Sequence, residues 1–590
     1  MDAGHLAVMF AGSVARHSER PATRVRVDGE FVVQTYAELG AQVRQLAARL
    51  IDRGLEPGDR VAIFSTNRPE WSLTDLACAS ACLVSVPLYP TSTPEQARHI
   101  LRDSGAKLAF VSGQAELDKL AEAGLDDLPV VSFDELDDAV TLSAELAAAP
   151  SDLSAVDARL AAAHADDLAT IIYTSGTTGD PKGVMLTHRG FTHQVAVLNR
   201  YFTITPQESS LCFLPLSHAL ERAWTYLVLA DGCLNTYVPD PRTVAEMLVA
   251  AKPNLLVSVP RLYEKVYLTA QEKVASSPLK KKLLAWALRT GSAYHDVLRA
   301  GKHPDPMLTV KLKIADKLAL GAVRDAMGGS KLVLACGGAP LRKEIEEFFY
   351  GCGLLVLQGY GLTEASPLVT FPSPAGFRFG TVGKVMDGGE LRVAADGQVE
   401  YRGPNLMQGY WGKPDETEST IVDGWLQTGD VGVLDDEGYL QITDRIKNLI
   451  VTSNGKNVAP APIEGLLASD PLFEYTLVLG DNRPYLTLLI APSLPHLEDI
   501  AHQLQVTWSK REELLSNQQV LDEIWRRITE LTAKLPKHEQ IRDLRLTIEG
   551  FTQENGLLTP SLKVKRREVE QRFSALVEDM YNRAGKLLKR

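Results

Sequence analysis

A two-domain α/β protein is what the sequence predicts: a large N-terminal domain of parallel layered sheets with a strand-rich subdomain, then a small mobile α/β domain. Three observations carry this. Short apolar runs alternate with amphipathic helical ones early in the chain, the pattern of parallel sheets covered by helices. From about residue 380 the apolar runs shorten and are joined by turn dipeptides, which marks strand-rich structure. Finally, 590 residues exceed what a single hydrophobic core organises.

Each element follows from its own residues. Thr35 and Glu38 form a capping box, and Leu39, Val43, Leu46 and Leu50 follow at helical spacing until Gly54 supplies a stop. Residues 61–64 read as a buried strand, and Pro69 with Glu70 opens a helix running to Ala81. Residues 83–86 and 108–111 are further strands, with a helix over 94–103 between them. Residues 142–167, rich in Ala, Asp and Ser, read as a helical or irregular approach to the next strand. The stretch from about 261 to 329 carries little strand signal and reads as a helical insertion, with Lys280, Lys281 and Lys282 facing water and a break at 301–306. Asp396-Gly397 joins strands 390–393 and 398–401, and Glu437-Gly438 joins 431–435 to 439–442. These make a subdomain of about 380–444 that completes an N-terminal domain of 1–444. Residues 445–590 form the small domain, with strands at 475–479 and 485–490 and a helix over 524–535.

Composition narrows the function. Apolar residues make up 45% and charged residues 23%, an ordinary globular balance, and the net charge of -12 with no basic stripe argues against a nucleic-acid partner. Of six cysteines only Cys78 and Cys82 lie close together, inside an apolar run and without histidines at zinc-site spacing, so they read as buried packing residues in a reducing compartment. Residues 1–21 lack a signal-peptide core, and no run reaches the roughly 18 apolar residues of a membrane span. A cytoplasmic protein is expected; peripheral contact with the inner face of a membrane, and a homodimer, stay compatible with the sequence.

The most informative stretch is Tyr173-Thr174-Ser175-Gly176-Thr177-Thr178-Gly179-Asp180-Pro181-Lys182-Gly183, directly after the strand end at 170–172. Its three glycines permit close backbone approach, and the hydroxyls of Thr174, Ser175, Thr177 and Thr178 can donate to phosphate oxygens. Exposed N–H groups can form an anion nest, and Lys182 adds positive charge. A Gly/Thr-rich surface turn is the plain alternative. The loop is no Walker A motif, because Pro181 stands where that motif places glycine before its lysine. Nor is Gly359-Tyr360-Gly361-Leu362-Thr363-Glu364 a dinucleotide fingerprint, because Glu364 replaces the third glycine.

The 173–183 loop resembles the phosphate-binding signature of the adenylate-forming superfamily, which holds acyl-CoA synthetases, peptide-synthetase adenylation domains and luciferases. Four further segments match in the family's order, over roughly residues 10–580. The resemblance implies ATP, Mg²⁺ and coenzyme A as cofactors and co-substrate. It implies that Gly338, Ala339 and Pro340, after strand 332–335, line the adenine and acyl pockets, together with Gln358, Gly359, Tyr360 and Gly361 after strand 354–357. Tyr360 would stack on adenine, Thr363 approach the phosphate and Glu364 hold Mg²⁺. Read without the family, Tyr360 is a packing residue and Glu364 a helix-start carboxylate. Asp430, beside Gly429 in what reads as a turn, matches the ribose-binding aspartate. Arg445 matches a nucleotide-contacting arginine, with a solvated charge cluster over 444–447 as the alternative. Lys563, with Lys565 as register alternative, matches the lysine that enters the site during adenylation. Lys447 matches a hinge whose rotation brings the segment with Gly455 and Lys456 toward coenzyme A; a simple turn at Asn454-Gly455 is the local alternative.

The segment Leu214-Pro215-Leu216-Ser217-His218-Ala219-Leu220-Glu221-Arg222-Ala223-Trp224 is similar to that of long-chain fatty-acyl-CoA synthetases. The resemblance places His218 near the acid's carboxylate and Trp224 along the acyl tunnel; a satisfied core histidine and a packing tryptophan are the alternatives. Residues 451–460 and 557–566 resemble the same group, in which Leu562 stands where many other members have glycine. The expected function is activation of a long-chain fatty acid by ATP to acyl-AMP with pyrophosphate release, then transfer to coenzyme A with AMP release. The alternatives are an acyl-AMP ligase loading a carrier protein and a non-catalytic fatty-acid or nucleotide binder.

Overall fold

The structure is a computed structural model that describes residues 4–137, 139–174, 181–454, 456–553, 555–559 and 563–582, apart from the side chain of Asn457. The chain divides into two compact units. The larger comprises Met1–Arg392, Glu400–Thr428 and Leu434–Gln441, and the smaller Val393–Val399, Gly429–Val433 and Ile442–Arg590.

Two large sheets organise the larger unit. In one, strands Arg60–Phe64, Val84–Leu88, Leu108–Val111, Val130–Ser132, Val140–Thr141 and Leu168–Thr174 run parallel, and Lys182–Thr187 and Gly409–Tyr410 continue it antiparallel. In the other, Val356–Gln358, Val333–Cys336, Leu255–Ser258, Ser209–Cys212, Leu234–Tyr237 and Pro21–Val27 are adjacent and parallel, and Glu30–Thr35 closes the edge antiparallel. Most of these strands are buried on both faces, which is why they read as continuous apolar runs and not as alternating ones.

Local chemistry sets the helices. Thr35 caps Tyr36–Asp52 through the expected box, and Leu39, Val43, Leu46 and Leu50 are buried along one side. The helix Pro69–Ser80 is buried along nearly its whole length, including Cys78. All six thiols are free. The insertion is helical: Pro260–Ala275, Pro278–Arg299 and Pro306–Ala315, then a π-turn over Asp316–Leu320 and the helix Gly321–Ala326. Lys280, Lys281 and Lys282 are exposed on it. Its inner faces and the strand ends beside them form a second core around Tyr263, Ala287, Phe348 and Phe349. Among the described residues no helix is long and apolar enough to cross a membrane.

In the smaller unit, Tyr475–Leu479 pairs antiparallel with Leu486–Ala491, which pairs parallel with Ile541–Leu546. Helix Gln518–Thr532 covers this sheet with Val520, Ile524 and Ile528 buried four residues apart. The sequence expected this helix over 524–535. It begins earlier because the Asn517 side chain accepts from the N–H groups of Gln519 and Val520 at 3.0 and 3.2 Å, a cap concealed by the polar residues around it. Asp430 differs from the turn that the sequence suggests for it. Both it and Gly429 lie within strand Trp425–Leu434, where Gly429 takes φ +71° and kinks the chain without ending it.

Candidate active site

Four adjacent parallel strands of one sheet end on the same side, and each sequence-predicted segment of the larger unit's nucleotide and acyl sites except the phosphate hairpin follows one of them. Ligands gather outside the carboxyl ends of such strands. Val333–Cys336 leads to Gly338, Ala339 and Pro340, all exposed. Val356–Gln358 leads to Gly359, Tyr360 and Gly361. The two loops are tied: Gly359 N–H donates to Cys336 O at 2.9 Å, and buried Gln358 accepts the Leu341 N–H on Oε1 at 2.9 Å. Tyr360 is half-buried, packs against the main core and pairs with Thr370. Gly361 has no room for a side chain without a backbone shift, since a Cβ there would sit 2.0 Å from Pro367 O.

The segment expected to bind phosphate joins two paired antiparallel strands. Thr174 ends one strand and Lys182 begins the next, directly opposite. Ser175, Gly176, Thr177, Thr178 and Gly179 lie outside the described residues. Around the hairpin base the structure brings Lys182 and Glu364 together through a residue that sequence reasoning missed, Tyr410. Its hydroxyl donates to Glu364 Oε1 at 2.9 Å, and the Lys182 ammonium lies 5.2 Å from its ring centroid. Lys182 also pairs with Glu416, whose carboxyl is held below its usual range by that contact. Burial, then the Glu364 charge, pushes the Tyr410 hydroxyl well up, so it stays a donor. Thr363 and Glu364 lie in the 3₁₀ turn Thr363–Ala365, and Glu364 O is fixed by the Met407 N–H at 2.8 Å. Tyr410 was discoverable: Gly409-Tyr410-Trp411-Gly412 is an aromatic pair flanked by glycines, just before a proline-opened helix.

The acyl segment follows Ser209–Cys212 and becomes helix Ala219–Ala230. His218 is its N-cap, with Nδ1 accepting the Leu220 N–H at 3.1 Å. Trp224 is buried in the main core, and its Nε1 donates to Ser210 Oγ at 2.9 Å, so the packing alternative describes its surroundings. Glu221 is fully buried; burial raises its carboxyl to about 8, and Oε2 accepts the Leu214 N–H at 3.1 Å. Arg222, also buried, donates to Asp75, to Tyr226 OH at 2.8 Å, to Thr170 Oγ1 at 2.7 Å and to Ser85 Oγ at 2.5 Å. It thereby fastens helix Ala219–Ala230 to strand Leu168–Thr174.

Three sequence-predicted residues share one electrostatic neighbourhood in the smaller unit. Arg445 Nε donates to Asp430 Oδ1 at 2.8 Å, and Asp430 is only 3% exposed. Lys563 senses both. The residue keeps solvent exposure, yet crowding of protein around its ammonium and the Arg445 charge lower its pKa to about 8, against the opposing pull of Asp430. Its backbone is held by Thr559, whose N–H donates to Lys563 O at 2.8 Å. Asp444 is no member of a solvated cluster: it is buried and accepts from the N–H groups of Arg445 and Ala461 at 2.7 and 3.3 Å. Lys447 is exposed in the 3₁₀ turn Ile446–Asn448. Lys456 lies between the paired strands Ile450–Val451 and Asn457–Val458, its N–H donating to Thr452 Oγ1 at 3.2 Å; Gly455 lies outside the described residues.

The model for AMP-binding enzymes matches residues 10–411, and that for the AMP-binding enzyme C-terminal domain matches residues 447–585. The chain belongs to the AMP-binding enzyme family. It is 35% identical to the long-chain-fatty-acid–CoA ligase FadD15 of Mycobacterium bovis, over 94% of each chain. It is 30% identical to the long-chain-fatty-acid–CoA ligase 5 of Rattus norvegicus, over 93% of this chain and 84% of that one. Among solved structures, the A domain of carboxylic acid reductase from Segniliparus rugosus, in complex with AMP and a co-purified carboxylic acid, has a TM-score of 0.76 at 20% identity. That likeness covers 98% of this chain and 94% of the other, and it bears on the fold.

Among the described residues no group of three or more His, Cys, Asp or Glu side chains is arranged to hold an ion. Mg²⁺ is ordinarily held by one or two carboxylates plus substrate phosphates. Half-buried Glu364 is a carboxylate beside the hairpin base that, unlike Glu416, is not paired with Lys182.

Proposed function

We propose that this AMP-binding enzyme is a long-chain fatty acid:CoA ligase that forms acyl-AMP and then acyl-CoA. The observation that carries the reading is the end-to-end similarity to long-chain-fatty-acid–CoA ligases at 35% identity. The Arg445–Asp430 hydrogen bond, with Lys563 close enough to feel both charges, supports it.

The first step is attack of a fatty carboxylate on the α-phosphorus of ATP, with pyrophosphate leaving. A carboxylate is already ionised near neutral pH, so no general base is needed and His218 shapes the approach without taking a proton. Charge accumulates on the phosphoryl oxygens, and groups preorganised to meet it lower the barrier. Lys182 and the hydroxyls of the hairpin hold the polyphosphate, Glu364 is the residue that would hold Mg²⁺, and Asp430 accepts from the ribose diol. Bound there, Mg²⁺ would offset phosphate charge. Lys563 bridges the carboxylate and α-phosphate oxygens. In the second step the coenzyme A thiol attacks the acyl carbon and AMP departs. We assign residues 1–444 and 445–590 as the domains of this cycle, with Lys447 as the hinge between its two steps.

The test is a panel of carboxylic acids with ATP and coenzyme A, scoring AMP, pyrophosphate and acyl-CoA by mass. Chains of about twelve to eighteen carbons should be preferred, since each buried methylene adds about 0.8 kcal/mol. AMP release that does not depend on coenzyme A would end the thioester reading, and no pyrophosphate with any acid would end the enzymatic one. Lys563→Ala should abolish pyrophosphate release and spare acyl transfer from supplied acyl-AMP.

A further inference from the structure

The helical insertion carries a surface that the chemistry above does not use. Helix Pro306–Ala315 and the π-turn Asp316–Leu320 direct Leu312, Ala315, Ala319 and Leu320 into the second core. The opposite face exposes Met307 by 65%, Val310 by 54%, Ile314 by 48% and Leu318 by 54%. Spaced three, four and four residues apart, they form one apolar stripe about 16 Å long. Contiguous apolar surface of this kind on a water-soluble face marks a contact site.

The charges say what the contact is. At helical spacing Lys311 falls on one flank of the stripe and Lys313 and Lys317 on the other, all exposed. Lys302 is exposed just ahead of the helix. The two acids of the segment are engaged elsewhere: Asp305 caps the helix, accepting the Leu308 N–H at 2.9 Å, and Asp316 pairs with Arg324. The segment is thus apolar along its centre and cationic along its edges, in a chain whose net charge is -12.

We infer that this stripe is a docking site for an anionic lipid surface. Met307, Val310, Ile314 and Leu318 enter the boundary between headgroups and acyl chains. The lysine stems lie along the same boundary and carry their ammonium groups out to the lipid phosphates. A protein groove would take the apolar side chains equally well but gives no reason for lysines along both edges. The inference stands on surface chemistry alone and does not depend on the enzymatic reading, although a lipid surface is where an apolar acid would be met.

The test is flotation of the full chain with phosphatidylcholine vesicles, with and without about 30% phosphatidylglycerol, in low and high salt. The wild-type chain should float with the anionic vesicles and be released by salt. The double variant Val310→Glu with Ile314→Glu should reduce the bound fraction about tenfold or more. Lys311→Glu with Lys317→Glu should reduce it at least as far, since each lysine lost is worth about fivefold. Both variants face water, so unchanged circular dichroism and urea midpoints are expected. Three results would overturn the inference: no binding of the wild-type chain to anionic vesicles, equal binding by the variants, or a dimer in sedimentation that the Val310/Ile314 variant dissociates while vesicle binding is untouched. Acid-panel turnover is scored separately, so its failure would leave this result standing.

Discussion

Replacing Arg222 by methionine should unfold the larger unit at markedly lower denaturant. Arg222 and Asp75 are only 1% and 4% exposed at their side chains, so almost no solvent screening remains to soften the loss. The guanidinium meets Asp75 through Nε and Nη2, and Tyr226 OH adds a bond to the same carboxylate at 2.5 Å. With Arg222→Met, Asp75 keeps the tyrosine and loses its counter-charge, and Ser85 Oγ and Thr170 Oγ1 each lose a donor. Removing one partner of such a pair costs about 3–5 kcal/mol, most of it the penalty of leaving an uncompensated buried charge. The assay is urea unfolding followed by circular dichroism, with the midpoint shift multiplied by the wild-type slope. The double variant Arg222→Met with Asp75→Asn removes that charge and should recover about 2 kcal/mol. A single variant within about 1 kcal/mol of wild type, or a double variant no better than the single, would refute the assignment of Arg222 as a buried fastening.

Glu221→Gln should stabilise the protein in a pH-dependent way. The folded carboxyl holds its proton up to about 8 against an ordinary 4.5, so its contribution is complete below pH 4.5 and is lost as pH rises through 8. The glutamine can still accept the Leu214 N–H, and its advantage in thermal melts should widen between pH about 5 and 8 and then stay level; a constant margin would contradict this. Pyrophosphate release should decline as pH rises through about 8, where Lys563 loses its charge. Lys563→Arg should move that limb upward, and an unmoved limb would assign it to another group. Gly361→Ala drives a Cβ to 2.0 Å from Pro367 O, which forces the 360–368 backbone to shift. Calorimetry should show ATP affinity falling about tenfold or more at unchanged helix content, and full affinity would show that the loop is not part of the nucleotide site.

Much of the architecture was legible because single residues punctuate it. The Thr35–Glu38 box and Pro69 set helix starts where the structure has them, and apolar runs such as 108–111 mark strands buried on both faces. What escaped depends on contacts distant in sequence or on backbone detail. The start of Gln518–Thr532 hangs on one asparagine side chain, and the kink at Gly429 looks like a turn unless the pairing of its strand is known. Tyr410 lies 46 residues from Glu364, and nothing local to either announces their hydrogen bond. Glu221 and Arg222 were legible as a pair of residues, but not as two buried groups with separate partners, one holding the 214 loop and the other reaching three elements.

Neighbouring parallel strands each hand over to their own loop, and under the proposed function these loops divide selectivity for the acid from grip on the nucleotide. Within residues 213–218 the backbone of Leu214 and Leu216 is held by Asn67 and Glu221, contacts that do not involve the turn at Thr363 and Glu364. The 337–341 turn cannot be exchanged alone, because Leu341 leans on Gln358 of the next strand. Libraries aimed at new acids therefore belong first at the former, with the latter varied only in concert with position 358.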